Sequence, residues 1–262
     1  MRQVREAIVE GIGFWGSGLP DWDAACAWVR EGRRPPQAPA RPAAALLAAN
    51  ERRRAPATVA VALDAALAAC EAAGREAATL PSVFASTHGE MSITDYMCTT
   101  LADDPRAISP TRFHNSVHNA AAGYWTIGTG AHAPATAISA GPGSFAQGLV
   151  EAVAQLAAGS EAVLLVAYDG PACGPLGTLV PSEGLLGIAL VLSRMPCPGL
   201  PVLRLELAGQ TGTQAPGPLS RLLAGNAMQP ALPLLEALAL EQERAWLPAG
   251  AGQWLRVDIG HG

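Results

Sequence analysis

The sequence predicts an α/β fold with a mixed, mostly parallel sheet flanked by helices. Strand-like and helix-like segments alternate over the first two-thirds of the chain. Glu161–Tyr168 (EAVLLVAY) is a continuous apolar run of strand length, the pattern of a strand buried on both faces. Pro134–Ala158 reads as a β-type run (Ala135–Ile138), a small-residue elbow (Ser139 to Ser144) and a helix with Phe145, Leu149, Val153 and Leu156 on one face. Hydrophobic residues make up 50% of the 262 residues and charged ones 15%, so the chain has a large core and is not disordered.

Each element has a local cause. Ile8–Phe14 is a short strand ending among Gly11, Gly13, Gly16 and Gly18. Asp21 caps a helix over Trp22–Arg30, and Gly32 stops it. Arg33–Pro42 holds four prolines and reads as a loop. An Ala-rich helix runs from about Pro56 to Ala73, with Val59, Leu63, Leu67 and Cys70 as its buried stripe and Gly74 at its C-cap. Ser82–Thr87 is a strand, His88-Gly89-Glu90 a turn and Ser92–Leu101 a helix. Asn119 is placed to cap a helix over Ala120–Ile127. After the elbow unit and Glu161–Tyr168, Leu185–Leu192 and Val202–Leu207 give two more strands. Gly209–Gly217 is a polar loop, Leu232–Trp246 is helical up to Pro248, and Trp254–Ile259 is a last strand.

Composition narrows the chemistry. A net charge of −5 argues against a general nucleic-acid binder. All seventeen basic residues are Arg, which excludes lysine Schiff bases and a lysine-bearing phosphate loop. The five cysteines, Cys26, Cys70, Cys98, Cys173 and Cys197, form no CxxC pair and are odd in number. Neither a disulfide framework nor a zinc site is expected, and Cys98 reads as a buried thiol. The N-terminal MRQVREAIVEGIG lacks a signal peptide's apolar core, and no run approaches the roughly 18–20 apolar residues of a membrane span. The expectation is a soluble cytoplasmic protein without metal or cofactor.

The elbow has the layout that puts a nucleophile at a helix N-terminus. Ala137–Gly141 fits a degenerate A-x-S-x-G elbow, so one reading is a serine-dependent acyl hydrolase or acyltransferase using Ser139. Asp169 and Asp258 could serve as the acid, but the only downstream histidine is His261, the penultimate residue. The other reading is that Ser139 and Ser144 cap the helix and the glycines allow a tight turn. His114 and His118 have the spacing of a two-histidine metal face, without HExxH around them; satisfied structural histidines are the alternative. Arg30, Arg33, Arg34, Arg41, Arg52, Arg53 and Arg54 make the early chain basic, either as solvated surface or as a dock for an acidic partner.

Several stretches resemble the N-terminal half of a β-ketoacyl synthase, a member of the thiolase-like superfamily. Ile8–Gly13 (IVEGIG) resembles the family's opening strand and its TGIG signature, Trp22–Gly32 the helix that follows, and Arg52–Gly74 the long Ala-rich helix. Ser109 through Gly123 resembles the segment before the nucleophile, and Glu183–Leu190 (EGLLGIAL) the family's E-G-A-G strand. Ser116–Ala120 (SVHNA) matches a subgroup of short ketosynthase-like proteins that accompany a full ketosynthase in bacterial aryl polyene and related type II fatty-acid-like pathways. A working ketosynthase carries its cysteine in a T-A-C-S turn, and the position similar to that cysteine here is Gly141. The family's two catalytic histidines and supporting lysine lie in its C-terminal half, whereas the short stretch after Arg194 holds no Lys and one His.

The resemblance implies a thiolase-like fold, with residues 1–195 as the ketosynthase-like N-terminal domain. Residues 196–262 are then a truncated remnant of the second half packed on the same domain. It implies a non-catalytic subunit, like a chain length factor, that forms a heterodimer with a full-length β-ketoacyl synthase. Half a fold leaves apolar surface for that partner to cover. Phe113, His118, Asn119, Tyr124, Trp125 and Phe145 are the candidate tunnel and interface residues. Arg33, Arg34, Arg52, Arg53 and Arg54 are candidates for docking an acidic acyl carrier protein. A homodimeric acyl-binding or scaffold protein is a further alternative.

Overall fold

A computed structural model describes residues 6–209 and 215–261. The strands are β1 (Glu6–Gly16), β2 (Ser82–Ala85), β3 (Ala135–Ile138), β4 (Ala162–Asp169), β5 (Leu186–Ser193), β6 (Val202–Ala208), β7 (Arg244–Gly250) and β8 (Gln253–Gly260). They form one sheet in the order β3-β2-β4-β5-β1-β6-β8-β7. The helices are α1 (Trp22–Glu31), α2 (Ala49–Arg54), α3 (Ala57–Ala73), α4 (Met91–Asp103), α5 (Pro110–His114) and α6 (Ala120–Thr129). They continue with α7 (Ser144–Ala157), α8 (Gly174–Leu179), α9 (Pro218–Leu222) and α10 (Leu232–Ala239).

The fold is mixed α/β with helices on both faces of the sheet, as expected, but the strand directions need correction. Only the β3–β2 and β2–β4 pairs run parallel. β4–β5, β5–β1, β1–β6, β6–β8 and β8–β7 are antiparallel. Parallel neighbours need a crossover, which α4–α6 provide between β2 and β3 and α7 provides between β3 and β4. From β4 to β5 the chain reverses instead, and α9 and α10 then cross over from β6 to β7, two parallel strands with the antiparallel β8 between them. Alternation of strand-like and helix-like segments does not distinguish the two.

Two glycines bring α3 onto β1. A Cβ on Gly13 would overlap the Ala65 carbonyl oxygen and lie 2.8 Å from its carbon; one on Gly11 would overlap the Ala69 carbonyl and lie 2.7 Å from Ala73 N. This close approach explains the Ala content of α3 and corrects its single stripe. Ala60, Val61, Ala62, Ala65, Ala66 and Ala69 are buried along with Val59, Leu63 and Cys70, while Leu67 is half-buried. The core on this face joins α3 and α6 through Phe84, Trp125 and Tyr168. On the other face α1, α7 and α10 pack around Phe14, Phe145, Leu149 and Leu235. β4 and β5 are buried at every residue, as the EAVLLVAY run predicts for β4.

Asp21 caps α1 by accepting from Ala24 N at 2.8 Å, and Gly32 closes it at φ +67°. α6 starts after Asn119 as expected, but Asn119 makes no side-chain cap bond. Cys98 is exposed on α4, because that helix buries Met91 and Ile93 instead. Pro56 separates α2 from α3, so the region similar to one long helix is two. The Leu232–Trp246 helix is also corrected. α10 ends at Ala239, the chain turns at Glu241 with φ +54°, and Arg244 onward pairs with β8. Ala245, Leu247 and Ala249 are buried in alternation, a period of two that a long apolar helix reading hides. Pro248 is tolerated because β7 is a sheet edge. Residues 210–214 of the Gly209–Gly217 loop lie outside the described residues.

The outward face of β6, β8 and β7 carries a charged cluster beside the half-buried Trp246 and Trp254. Register aligns Arg204, Asp258 and Arg244 across the three strands. Arg244 bonds Asp258 at 2.6 Å, Arg256 bonds Asp258 at 3.1 Å and Glu206 at 2.5 Å, and Arg204 bonds Glu6 at 2.8 Å. Burial raises the Asp258 pKa, but the hydrogen bond and charge of Arg244, with Arg256 behind it, outweigh that and hold it below the ordinary carboxylate range. A depressed folded pKa adds stability above the unfolded value of about 3.9 that is lost as pH falls through the folded value. Asp258→Asn is therefore expected to cost about 0.5–1 kcal/mol at pH 7 and nothing once both carboxyls are protonated. Urea unfolding at pH 7 and at acid pH checks this.

Candidate functional site

The three parallel strands β2, β3 and β4 end on the same side of the sheet. The crevice beyond the carboxyl ends of such strands is where α/β sheets bind ligands. Three pieces meet there: the turn after β2 (Ser86 to Gly89), the elbow after β3 (Ser139 to Gly143) and the last residue of β4, Asp169.

Asp169 is fully buried. Its carboxylate accepts from Ser86 Oγ at 2.7 Å, from Thr87 N at 3.0 Å and from His88 N at 3.1 Å. Burial pushes its pKa up against the pull of these bonds. Ser86 Oγ in turn accepts from Gly89 N at 2.8 Å, closing a turn in which Gly89 has φ +64°. Asn226 Nδ2 donates to the Asp169 carbonyl at 3.3 Å and to the Glu183 carbonyl at 3.0 Å, fixing the C-terminal segment to the same end of β4.

The elbow hangs on Thr87. Ser139 Oγ donates to the Thr87 carbonyl at 3.2 Å, and Thr87 Oγ1 donates to the Gly141 carbonyl at 3.3 Å. Ser144 Oγ donates to the Gly141 carbonyl at 2.8 Å and accepts from Ala140 N at 2.9 Å, which supports the reading of Ser144 as a cap of the turn. Gly141 stands at φ +54°, a left-handed conformation that strains any other residue. Behind the elbow a Cβ on Gly143 would lie 2.8 Å from the Ala249 carbonyl carbon, and Gln147 Nε2 donates to the Ala249 carbonyl at 2.7 Å. The C-terminal β7 thus packs directly on the elbow.

The histidines take separate partners. His118 Nε2 lies 2.9 Å from the Ser86 carbonyl oxygen, His114 stacks edge-on against Tyr124 with ring centroids 5.9 Å apart, and His261 Nε2 lies 3.1 Å from the Gln242 carbonyl. Among the described residues none is bonded to Ser139, and no group of three His, Cys, Asp or Glu side chains comes together as a metal site.

The other sequence candidates divide by burial. Trp125 and Phe145 are inside the cores on opposite faces of the sheet, and Tyr124 is buried beside His114. Phe113 is 60% exposed, and Asn119 is exposed. The arginines fall into two groups. Arg34 stacks over Trp28, Arg33 pairs with Glu31, and α1 packs on the α10 face. Arg52, Arg53 and Arg54 lie on α2 across the sheet, where the Arg54 carbonyl accepts from Asn115 Nδ2 at 3.2 Å, next to α5. Sequence reasoning missed Val117 and Ile127, exposed by 49% and 75%, and Leu176, Leu179 and Val180 around α8. An apolar residue in a helix pattern reads as core, and no local signal marks these as uncovered.

A strand–elbow–helix unit at the carboxyl ends of parallel strands, with β7 packed on the elbow and helices on both faces of the sheet, defines a mixed α/β fold. The chain belongs to the family described as β-ketoacyl synthase, N-terminal domain, whose model matches residues 25–255. It resembles solved structures along nearly its whole length. One is a ketosynthase, ApeO, in complex with its chain length factor, ApeC, from Xenorhabdus doucetiae. That match has a TM-score of 0.73 at 22% identity, covering 96% of this chain and 98% of that one. Another is the ishigamide ketosynthase/chain length factor, with a TM-score of 0.74 at 14% identity and coverage of 98% and 99%. A third is a type II polyketide acyl-carrier protein in complex with its ketosynthase, with a TM-score of 0.73 at 14% identity and full coverage of both chains. At these identities the likeness is one of fold. No curated protein sequence matches the chain.

Proposed function

We propose that this chain is a non-catalytic subunit, like a chain length factor, that forms a heterodimer with an active full-length β-ketoacyl-ACP synthase and shapes the acyl tunnel at their junction. The observation that carries the reading is the open β3 edge. β3 closes one side of the sheet with nothing paired beyond it among the described residues; Ala135 and Ala137 are exposed, and no charge or proline interrupts it. Edge strands in monomers are normally blunted. The opposite edge, β7, is blunted, with Pro248 and a register shift between Pro248 and Gly250. α6 flanks β3 and carries the exposed Ile127; Phe113 and Val117 are exposed just before it. An unblunted strand beside exposed apolar side chains suits strand addition by a partner sheet.

In this reading the partner performs the decarboxylative condensation on substrates held by acyl carrier protein. Gly141, at the position similar to the nucleophile, keeps the elbow without its thiol. The pathway class is aryl polyene, polyketide or related fatty-acid-like synthesis in the cytoplasm. Residues 1–195 supply the ketosynthase-like body, and 196–262 the remnant that braces the elbow. Of the tunnel candidates, Phe113 reaches the surface, Tyr124 and Trp125 act through the packing on its face of the sheet, and Phe145 acts from the core on the other face, with His118 and Asn119 at the start of α6. Arg52, Arg53 and Arg54, on the α5 side of the sheet, suit docking of the acidic carrier protein better than Arg33 and Arg34.

Co-expression with a full-length ketosynthase tests the reading. Co-elution as a heterodimer, condensation that needs both chains, and altered product lengths with Phe113→Ala are expected. A stable monomer that ignores the ketosynthase would overturn it.

A further inference from the structure

A fully buried carboxylate is costly unless hydrogen bonds replace its lost water. Asp169 has no basic side chain bonded to it among the described residues. What it has is a nest: the Ser86 hydroxyl and the successive N–H groups of Thr87 and His88 converge on it. Consecutive backbone N–H groups point to one spot only while the chain curls around an anion there. The carboxylate therefore sets the conformation of the turn after β2, far from it in sequence.

Among the described residues, that turn is hydrogen-bonded to the elbow through one residue, Thr87, by two bonds. Thr87 accepts from Ser139 through its carbonyl and donates to Gly141 through its hydroxyl. The same residue's N–H is held by Asp169. Asp169 itself touches no elbow residue through its side chain.

We propose that Asp169 is a positioning residue that holds the Ser139–Gly143 elbow in register through Thr87. Oδ1 alone accepts from Ser86 Oγ, Thr87 N and His88 N, and Oδ2 adds a second contact with Thr87 N, so asparagine keeps most of the nest and leucine, with no acceptor, empties it. Where the elbow contributes to the acyl tunnel, which rests on the subunit reading above, Asp169 sets tunnel geometry without lining it.

Site-resolved hydrogen exchange on the full chain tests the positioning itself. In Asp169→Leu the amides of Thr87, His88 and Gly89, and of Ala140 and Gly143 in the elbow, are expected to exchange about tenfold faster. Leu190 in β5 should keep its rate. Thr87→Ala removes the hydroxyl link to Gly141 and Ser139→Ala the link to the Thr87 carbonyl, while the Thr87 N–H bond to Asp169 stays; combined, they should speed Ala140 and Gly143 more than His88 and Gly89. This double variant also carries the test should Asp169→Leu fail to fold. Unchanged elbow amides in the Thr87→Ala/Ser139→Ala double variant, or acceleration in Asp169→Leu that is uniform and includes Leu190, would overturn the proposal. The tunnel consequence is read separately in the ketosynthase complex, as product lengths with the double variant. Faster elbow exchange with unchanged products would leave the positioning role standing and count against the tunnel reading.

Discussion

Ala137→Pro is expected to abolish assembly with the ketosynthase while leaving this chain folded. Ser82 N donates to the Pro134 carbonyl at 2.9 Å, and Ser86 N to the Ile138 carbonyl at 3.1 Å. In a parallel ladder the backbone groups of alternate residues face the same neighbour, so Pro134, Thr136 and Ile138 face β2. Ala135 and Ala137 then present N–H and C=O groups outward. Proline at 137 removes an outward donor, puts its ring in the path of an incoming strand, and spares the ladder to β2. At least about a tenfold loss of affinity is expected, from one lost bond plus the steric block. Thr136→Pro is the opposite control: it breaks an inward bond and destabilises the chain itself. Size-exclusion of the mixture with thermal melts of each variant separates the effects. Unchanged co-elution of Ala137→Pro would put the partner elsewhere.

Gly13→Ala is expected to produce the largest loss of stability. The added methyl collides with the backbone of Ala65 and lies 2.9 Å from Ala69 N, so no side-chain rotation relieves it. Either α3 lifts off β1 or β1 bends away from β5. Overpacking in a tight core costs about 1–3 kcal/mol, and a clash with helix backbone belongs at or beyond the top of that range. Such a loss is a large share of the 5–15 kcal/mol typical of a domain. Gly123→Ala supplies the contrast, since a Cβ there meets nothing within 4 Å and α6 gains helix propensity. Urea denaturation of both variants checks the pair.

Local chemistry was legible wherever a residue acts on its own neighbours. The Asp21 cap, the Gly32 and Gly74 stops, and the β3–elbow–α7 unit all follow from side chains or glycines within a few positions. The misreadings arose where two local patterns compete. Leu232–Trp246 is apolar enough for one helix, and only pairing with β8 makes its second part a strand. Sheet direction was misjudged because alternation gives the same signal whether the chain crosses over or turns back.

By itself the sequence determined most elements up to β6, the caps at Asp21, Gly32 and Gly74, the lack of lysine and the presence of Gly141 in the elbow. These depend on chain chemistry over one or two turns. Only the tertiary structure decided which aromatics are core and which are surface, that the arginines separate onto opposite faces, that β3 rather than β7 is the open edge, and that Asp169 holds Thr87. Each of those depends on segments far apart in the chain being brought together. Burial and hydrogen-bond partners belong to the packed whole, and a side chain's identity does not carry them.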